Sequence, residues 1–203
     1  MSATQDTRES VLESGLALAS QVGLGGITIG RLAEAVDLTK AGLYAHFDSK
    51  EEILREILET AVERFIEQGV RPALEAPRGE PRVRALFEAW LEWSKAPPLP
   101  GGCVFISSAT ELDDRPGPLR EYLVRTQNEW REMLERSVRE AQEEEDFRAD
   151  VEPKQFVFEV FSVILSFHYY DRLFEDPDAE GRTREGFQRL VERARSSGAC
   201  PPQ

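Results

Sequence analysis

The chain has 203 residues, 40% of them hydrophobic, with three Trp, eleven Phe and four Tyr; that apolar mass supports a packed core and excludes a largely disordered chain. A formal net charge of −13 excludes binding nucleic acid through a broad basic surface, because neutralising phosphates requires Lys and Arg. Residues 1–50 carry four basic and six acidic groups and the other 153 carry 21 and 32, so any DNA contact must be local, while the acidic remainder repels the duplex.

Met1 to Ser10 is polar and acidic and lacks the charged-then-apolar pattern of a signal peptide. Val11, Leu12, Leu16, Ala19 and Val22 then recur at helical spacing, and Gly23 to Gly26 end that helix. Thr28 is placed to cap a short helix with Leu32, Ala33 and Val36 inside. Asp37 and Leu38 make a tight turn, and Thr39 caps a second short helix, Lys40 to His46. Ser49 caps a longer helix whose first turn holds Glu51 and Glu52, where the helix dipole favours acid. That helix carries Ile53, Leu54, Ile57, Leu58, Ala61, Phe65 and Ile66 and runs to about Val70. Pro72 to Pro81, with three prolines and a glycine, predicts a loop.

Val83 to Lys95 is predicted helical, with Leu86, Phe87, Trp90 and Leu91 on one face and Trp93 beside it. Ala96 to Gly102 holds three prolines and two glycines and must be a connector. A short apolar helix, Cys103 to Leu112, follows, then a long one whose stripe includes Leu123, Trp130, Met133, Leu134, Val138 and Ala141. Glu143 to Asp146 read as its solvated end. Pro153 suits the first turn of the next helix, which is apolar nearly all round. Its stretch Phe156 to Tyr170 has 11 apolar residues in 15 but includes Glu159, Ser162, Ser166 and His168, too short and too polar to span a bilayer. The last helix, about Gly181 to Ser197, has Phe187, Leu190, Val191 and Ala194 as its stripe, and Gly198 to Gln203 read as a frayed tail. Cys103 and Cys200 lie far apart with no CxxC and no His at ligand spacing, which predicts neither a disulfide framework nor a zinc site. The whole predicts a soluble, cytoplasmic, all-α protein of about nine helices without cofactor or metal.

The segment Thr28 to Glu52 carries the functional signal. It is two short helices joined by a tight turn, the second too short to serve as a core element. Leu43 and Phe47, at i and i+4, anchor the back of that second helix, while Lys40, Ala41, Gly42 and Tyr44 leave its front small or polar. A helix entering a major groove needs that division: an apolar base, and small residues permitting close approach to the duplex.

In Ala33, Thr39, Leu43, Tyr44, His46, Phe47, Lys50 and Ile53, preceded by Gly23 and Thr28, the sequence resembles the TetR/AcrR family of transcriptional regulators. The resemblance covers residues 8–54. Gly101 to Phe105 with Glu111 to Pro118 looks like one branch of the same family. Two positions depart from the family pattern: the turn residue, usually Gly, is Asp37, and Ala41-Gly42 replaces the commoner Gly-Thr pair. Asp tolerates left-handed backbone better than most residues, and the lost hydroxyl implies an altered sequence preference.

The resemblance implies a helix-turn-helix DNA-binding domain of three helices over 1–50 and a ligand-binding and dimerisation domain over 51–203. It implies that the hydroxyls and helix N-termini at Thr28 and Thr39 hold phosphates. Lys40, Ala41 and Gly42 would approach base edges, Tyr44 and His46 would touch phosphate or a thymine methyl, and Lys50 would contact a phosphate. A small, mainly apolar effector would sit among Phe65, Phe87, Trp90, Phe105, Trp130 and Met133, with Trp93 nearby, although aromatics at helical spacing also serve as plain core. It would release a repressor from its operator by tilting the helix that begins at Lys50. The all-round apolar helix 153–174 and its successor 181–197 imply a homodimer through a four-helix bundle, with Phe161, Ile164, His168, Phe187, Leu190 and Val191 at the interface and an inverted-repeat operator as partner. An enzyme built on Cys103 or Ser107 with His168 finds no support in a nucleophile elbow, metal spacing or phosphate loop. A regulator-like fold that has lost its operator is the nearer rival, yet Lys40 and Lys50 are present.

Overall fold

The computed structural model describes residues 3–195; Cys200, the predicted tail and the predicted end of the last helix beyond Arg195 lie outside them. Ten helical segments occur among the described residues: α1 (Ala3–Val22), α2 (Ile29–Ala35), α3 (Lys40–Tyr44), α4 (Lys50–Phe65), α5 (Arg71–Ala73), α6 (Glu80–Ser94), α7 (Val104–Leu112), α8 (Pro118–Glu143), α9 (Pro153–Arg172) and α10 (Ala179–Ala194). A π-helical turn, Ile66–Val70, joins α4 to α5 without a break, so nine separate rods stand where about nine were expected. One isolated antiparallel bridge, Phe147 to Arg195, is the sole extended pairing among the described residues.

The chain packs as two compact units, one of residues 1–66 and 92–126, the other of 67–91 and 127–203. In the first, α1, α2, α3 and α4 close over Val11, Leu16, Ala19, Leu32, Leu43, Ile53, Ile57 and Leu58, and α7 adds Val104 and Phe105. A Cβ on Gly15 would lie 2.4 Å from the Ile57 side chain, so glycine there lets α1 approach α4. The connector before α7 is ordered by the same unit. Gly101 donates its N–H to the buried Ser20 Oγ at 3.0 Å, and a Cβ on Gly101 would strike the Ser20 carbonyl at 1.9 Å.

The second unit pairs α9 with α10 and closes on Phe87, Trp90, Trp130, Phe147, Phe156, Phe167 and Phe187. The Phe87 and Phe187 rings stack 3.8 Å apart and 3° from parallel. Glu80 is 8% exposed and is held by Arg84 at 2.6 Å and by both fork nitrogens of Arg195 at 2.7 Å. Burial alone would raise its carboxyl pKa, but the bonds and charges of Arg195 and Arg84 outweigh it and hold the group below its ordinary value.

Two prolines and one aspartate differ from their sequence reading. Pro72 and Pro81 were expected in a loop, yet Pro72 lies in α5, within the helical run that continues from α4, and Pro81 lies in the first turn of α6, where the missing N–H has no partner to lose. Asp146, expected to be solvated, accepts the Glu80 N–H at 2.8 Å and so caps α6.

Candidate nucleic-acid interface and sensor region

Three helix N-termini in the first unit are closed by the side chains that the sequence singled out. Thr28 Oγ1 accepts from the Arg31 N–H at 3.2 Å, Thr39 Oγ1 from the Gly42 N–H at 3.0 Å and Ser49 Oγ from the Glu52 N–H at 3.1 Å. Each cap residue has extended backbone, which turns the chain sharply into its helix. The caps use the oxygens as acceptors, so the threonine hydroxyl protons remain able to donate. Asp37 takes φ of +53°, the left-handed conformation its turn position demands, and the Leu38 N–H returns to the Ala33 carbonyl at 2.9 Å.

Leu43 is fully buried and Phe47 is 2% exposed, which seats α3 by its back. On its front Lys40, Ala41 and Tyr44 are exposed, and Gly42 is half-buried beneath Thr39. The α3 helix ends at Tyr44, two residues short of expectation, and His46 follows in a turn. His46 is half-buried and its Nδ1 is buried without a hydrogen-bond partner. Lys50 is half-buried at the first position of α4. Thr28 thus caps α2, Thr39 caps the short helix that carries Lys40, Ala41, Gly42 and Tyr44, His46 lies in the turn after it and Lys50 opens α4. One residue of this region escaped the sequence reading. Arg8, 38 residues upstream of His46, bonds the turn after α3; no local pattern marks a contact between residues so far apart in the chain.

The predicted sensor aromatics fall into two groups. Phe65, Trp93 and Phe105 belong to the first unit, with ring centroids 5.6 to 6.0 Å apart. Trp93 Nε1 and Ser108 Oγ, also in that unit, are buried and have no hydrogen-bond partner. Phe87, Trp90, Trp130 and Met133 belong to the second unit. There Phe87 is engaged by its stack on Phe187, and Trp90 sits edge-on to Phe167 at 5.8 Å. Phe87, stacked on Phe187, packs as core within its own unit. Cys103 precedes α7 and is buried. Among the described residues no cluster of His, Cys, Asp and Glu could hold a metal, and no helix is long and apolar enough to cross a membrane.

The expected interface residues separate too. Ile164, Phe187, Leu190 and Val191 are buried inside their own unit, so they offer no surface to a partner; Phe161 and His168 are half-buried. Burial lowers the His168 pKa, Arg172 lowers it further, and Asp171 opposes them. On α9 and the two residues after it the exposed apolar side chains are Phe158, Leu165, Tyr169, Tyr170, Leu173 and Phe174. A cleft of about 360 Å³ between α9 and α10, lined by Ser162, Ser166, Tyr170, Thr183 and Gly186, adjoins them.

Residues 11–57 match the family described as bacterial regulatory proteins, tetR family, and residues 79–187 match the tetracyclin repressor-like, C-terminal domain. Over 60 residues the chain is 33% identical to IcaR of Staphylococcus epidermidis, the negative transcriptional regulator of the biofilm operon icaADBC. That match spans 30% of this chain and 32% of IcaR, so the chain spans about a third of that relative's length. Among solved structures, a TetR transcriptional regulator from Chloroflexus aurantiacus superposes with a TM-score of 0.82 at 25% identity, covering 95% of this chain and 96% of that one. AibR, solved in complex with isovaleryl coenzyme A and operator DNA, superposes with a TM-score of 0.70 at 21% identity over 93% of this chain and 97% of its own.

Proposed function

Because the chain belongs to the TetR family of bacterial regulatory proteins, we propose that it is a repressor whose residues 1–50 bind operator DNA and whose residues 51–203 dimerise and take the effector. One observation carries the DNA reading. The α3 helix is buried at Leu43, anchored by the buried Phe47 just after it, and open at Lys40, Ala41 and Tyr44, so it can enter a major groove while staying seated on its own core. Thr28 and Thr39, with the N-termini they cap, suit phosphate contacts, as does Lys50; Tyr44 and His46 suit phosphate or a thymine methyl. Lys40, Ala41 and Gly42 face the bases. IcaR's description as a negative regulator supports repression here. So does the capture of AibR with both an acyl coenzyme A and operator DNA, for a regulator that responds to a small molecule. A protein acting on chromosomal DNA works in the cytoplasm.

Dimerisation through α9 and α10 is supported by Phe158, Leu165 and Tyr169, exposed on α9, and Leu173 just after it, an apolar surface that a second copy would cover. Such a dimer reads an inverted repeat whose half-sites lie about 34–36 Å apart. The effector region is supported by Phe65, Trp93 and Phe105 with the unpartnered Trp93 Nε1 and Ser108 Oγ. Aromatic faces suit a mainly apolar molecule, and a buried indole N–H, which can only donate, calls for an acceptor atom on it. Filling that region bears on Phe65 at the end of α4, whose other end starts at Lys50 beside the reading helix. An effector that binds the DNA-free state more tightly shifts the protein off its operator.

The test uses the duplex that this protein selects from a random-sequence library. Lys50→Ala should weaken binding evenly across sequences and flatten the dependence of log K on log salt by about one unit. Lys40→Ala should change which bases are preferred. Identical losses for both variants on every sequence would refute the division into phosphate and base contacts, and failure of the wild type to select any sequence would refute DNA binding itself.

A further inference from the structure

Arg8, on α1, has four partners in the first unit: His46, Phe47, Glu52 and Glu56. Its Nη1 donates to the His46 carbonyl, in the turn that ends the α3 region. Its Nε and Nη2 donate to the two carboxylate oxygens of Glu56, the first at 3.1 Å, and Glu52 stands 3.5 Å away. The guanidinium lies over the Phe47 ring, 4.2 Å from the centroid. Phe47 is itself the apolar anchor of α3. One planar cation therefore ties α1, the C-terminal end of the reading helix and the first two turns of α4 at a single point. Glu52 is held in turn: the Asp48 N–H donates to its carboxylate, which closes the start of α4 around the same turn.

Only arginine has the geometry for this. Its rigid fork meets a carboxylate with two parallel bonds, and a further N–H remains for the carbonyl while the flat face stacks on an aromatic ring. The five-residue α3 needs such support, because a helix of little more than one turn has almost no stability of its own. Its N-terminal end is fixed by the Thr39 cap; its C-terminal end, where Tyr44 and His46 lie, has the Arg8 bond.

We propose that Arg8 is a positioning residue for DNA reading: it sets the orientation of α3 through the His46 carbonyl and the Phe47 ring, and does not itself contact DNA. The proposal rests on the DNA-binding reading above. With its charge directed onto Glu56 and Glu52, Arg8 is turned toward the head's own acids. Its loss should therefore lower the discrimination between sequences and leave the phosphate contacts intact.

The experiment compares full-length wild type, Arg8→Ala and Arg8→Lys. Each is titrated with the duplex that the wild type selects from a random library and with a scrambled duplex of equal length and composition, at several salt concentrations. Arg8→Ala should bind the selected duplex about tenfold more weakly, bind the scrambled duplex as the wild type does, and keep the wild-type salt slope. Arg8→Lys keeps the charge and a contact with Glu56 but cannot also hold the carbonyl and stack flat, so it should recover only part of the loss. Should Arg8→Ala fail to fold, Arg8→Lys carries the test alone, and wild-type discrimination by that variant would overturn the proposal. Equal weakening on both duplexes with a salt slope flatter by one unit would also overturn it, since that is the signature of a lost phosphate contact. If the wild type selects no sequence, the DNA reading falls first; if it selects one and Arg8→Ala reads it equally well, only the clamp falls.

Discussion

The Phe87–Phe187 pair of the second unit and the aromatic cluster of the first are arranged on different principles, although the second unit also holds a tilted pair, Phe147 and Phe156, at 5.5 Å and an edge-on pair, Trp90 and Phe167, at 5.8 Å. In the second unit Phe87 and Phe187 lie flat against each other at 3.8 Å, both nearly sealed from solvent. In the first, Phe65, Trp93 and Phe105 stand tilted or offset at 5.6 to 6.0 Å, and the unit buries two polar atoms, Trp93 Nε1 and Ser108 Oγ, without partners. A buried donor left unbonded costs about 1–3 kcal/mol. The second unit thus uses its aromatics to hold the fold, whereas the first tolerates a penalty at its aromatic cluster. Unmet polar groups of that kind are expected where a binding partner completes the site.

The comparison breaks first at Phe87. Truncation to Ala removes a sealed ring and its stacking partner's contact, so the loss should reach about 3–5 kcal/mol. Urea unfolding of Phe87→Ala measures it, and a loss below about 1 kcal/mol would mean that the second unit repacks freely and is not the rigid half.

Within the second unit the contrast is between buried and exposed apolar residues. Phe187 is 3% exposed and Phe158 is 66% exposed, although they lie on adjacent, paired helices. Phe158→Glu should leave the protomer helical, since a surface substitution shifts stability by about 0.5 kcal/mol or less, yet it places charge in the face assigned to the second copy. Sedimentation at micromolar concentration should then show a helical monomer. A Phe158→Glu protein that still sediments as a dimer would exclude this face from the interface.

Much of the head was legible because its chemistry is local. Thr28, Thr39 and Ser49 each stand immediately before a run of helical spacing, and a cap acts over three residues. The left-handed Asp37 follows from the tightness of the turn between two caps. Pro81 misled because a proline reads as a breaker in a composition window but is at ease in a first turn, and Pro72 because the helical run from α4 carries past it. The α9 helix misled for a deeper reason. A helix apolar all round states that several faces are covered, and periodicity cannot tell which are covered by its own chain. Only the packing of α9 on α10 and of Phe187 on Phe87 puts Ile164 and Val191 inside and leaves Phe158 and Leu165 outside. Arg8 and Asp146 were hidden by distance along the chain, since their partners lie 38 and 66 residues away.

The smallest expected effect is the sharpest test of the comparison, because it concerns the sign. Ser108 is fully buried, so Ser108→Ala deletes an unbonded hydroxyl and changes almost no volume. If the penalty in the first unit is real, this variant should be as stable as the wild type or more stable, by up to about 1 kcal/mol. Trp93→Phe removes the unbonded N–H but also shrinks a ring, so a cavity term opposes the gain, and the net change should stay within about 1 kcal/mol. Function should run the other way. A neutral aromatic molecule with an acceptor oxygen, such as acetophenone, should raise the thermal midpoint of the wild type more than ethylbenzene, which keeps the ring and the two-carbon chain but lacks the oxygen. Trp93→Phe should abolish that difference while keeping the response to ethylbenzene. Destabilisation of Ser108→Ala by more than about 1 kcal/mol would show that its hydroxyl is bonded after all and that the two units do not differ. Equal shifts from both compounds in the wild type would remove the acceptor from the effector's description, and no shift from either would take this cluster out of the sensor.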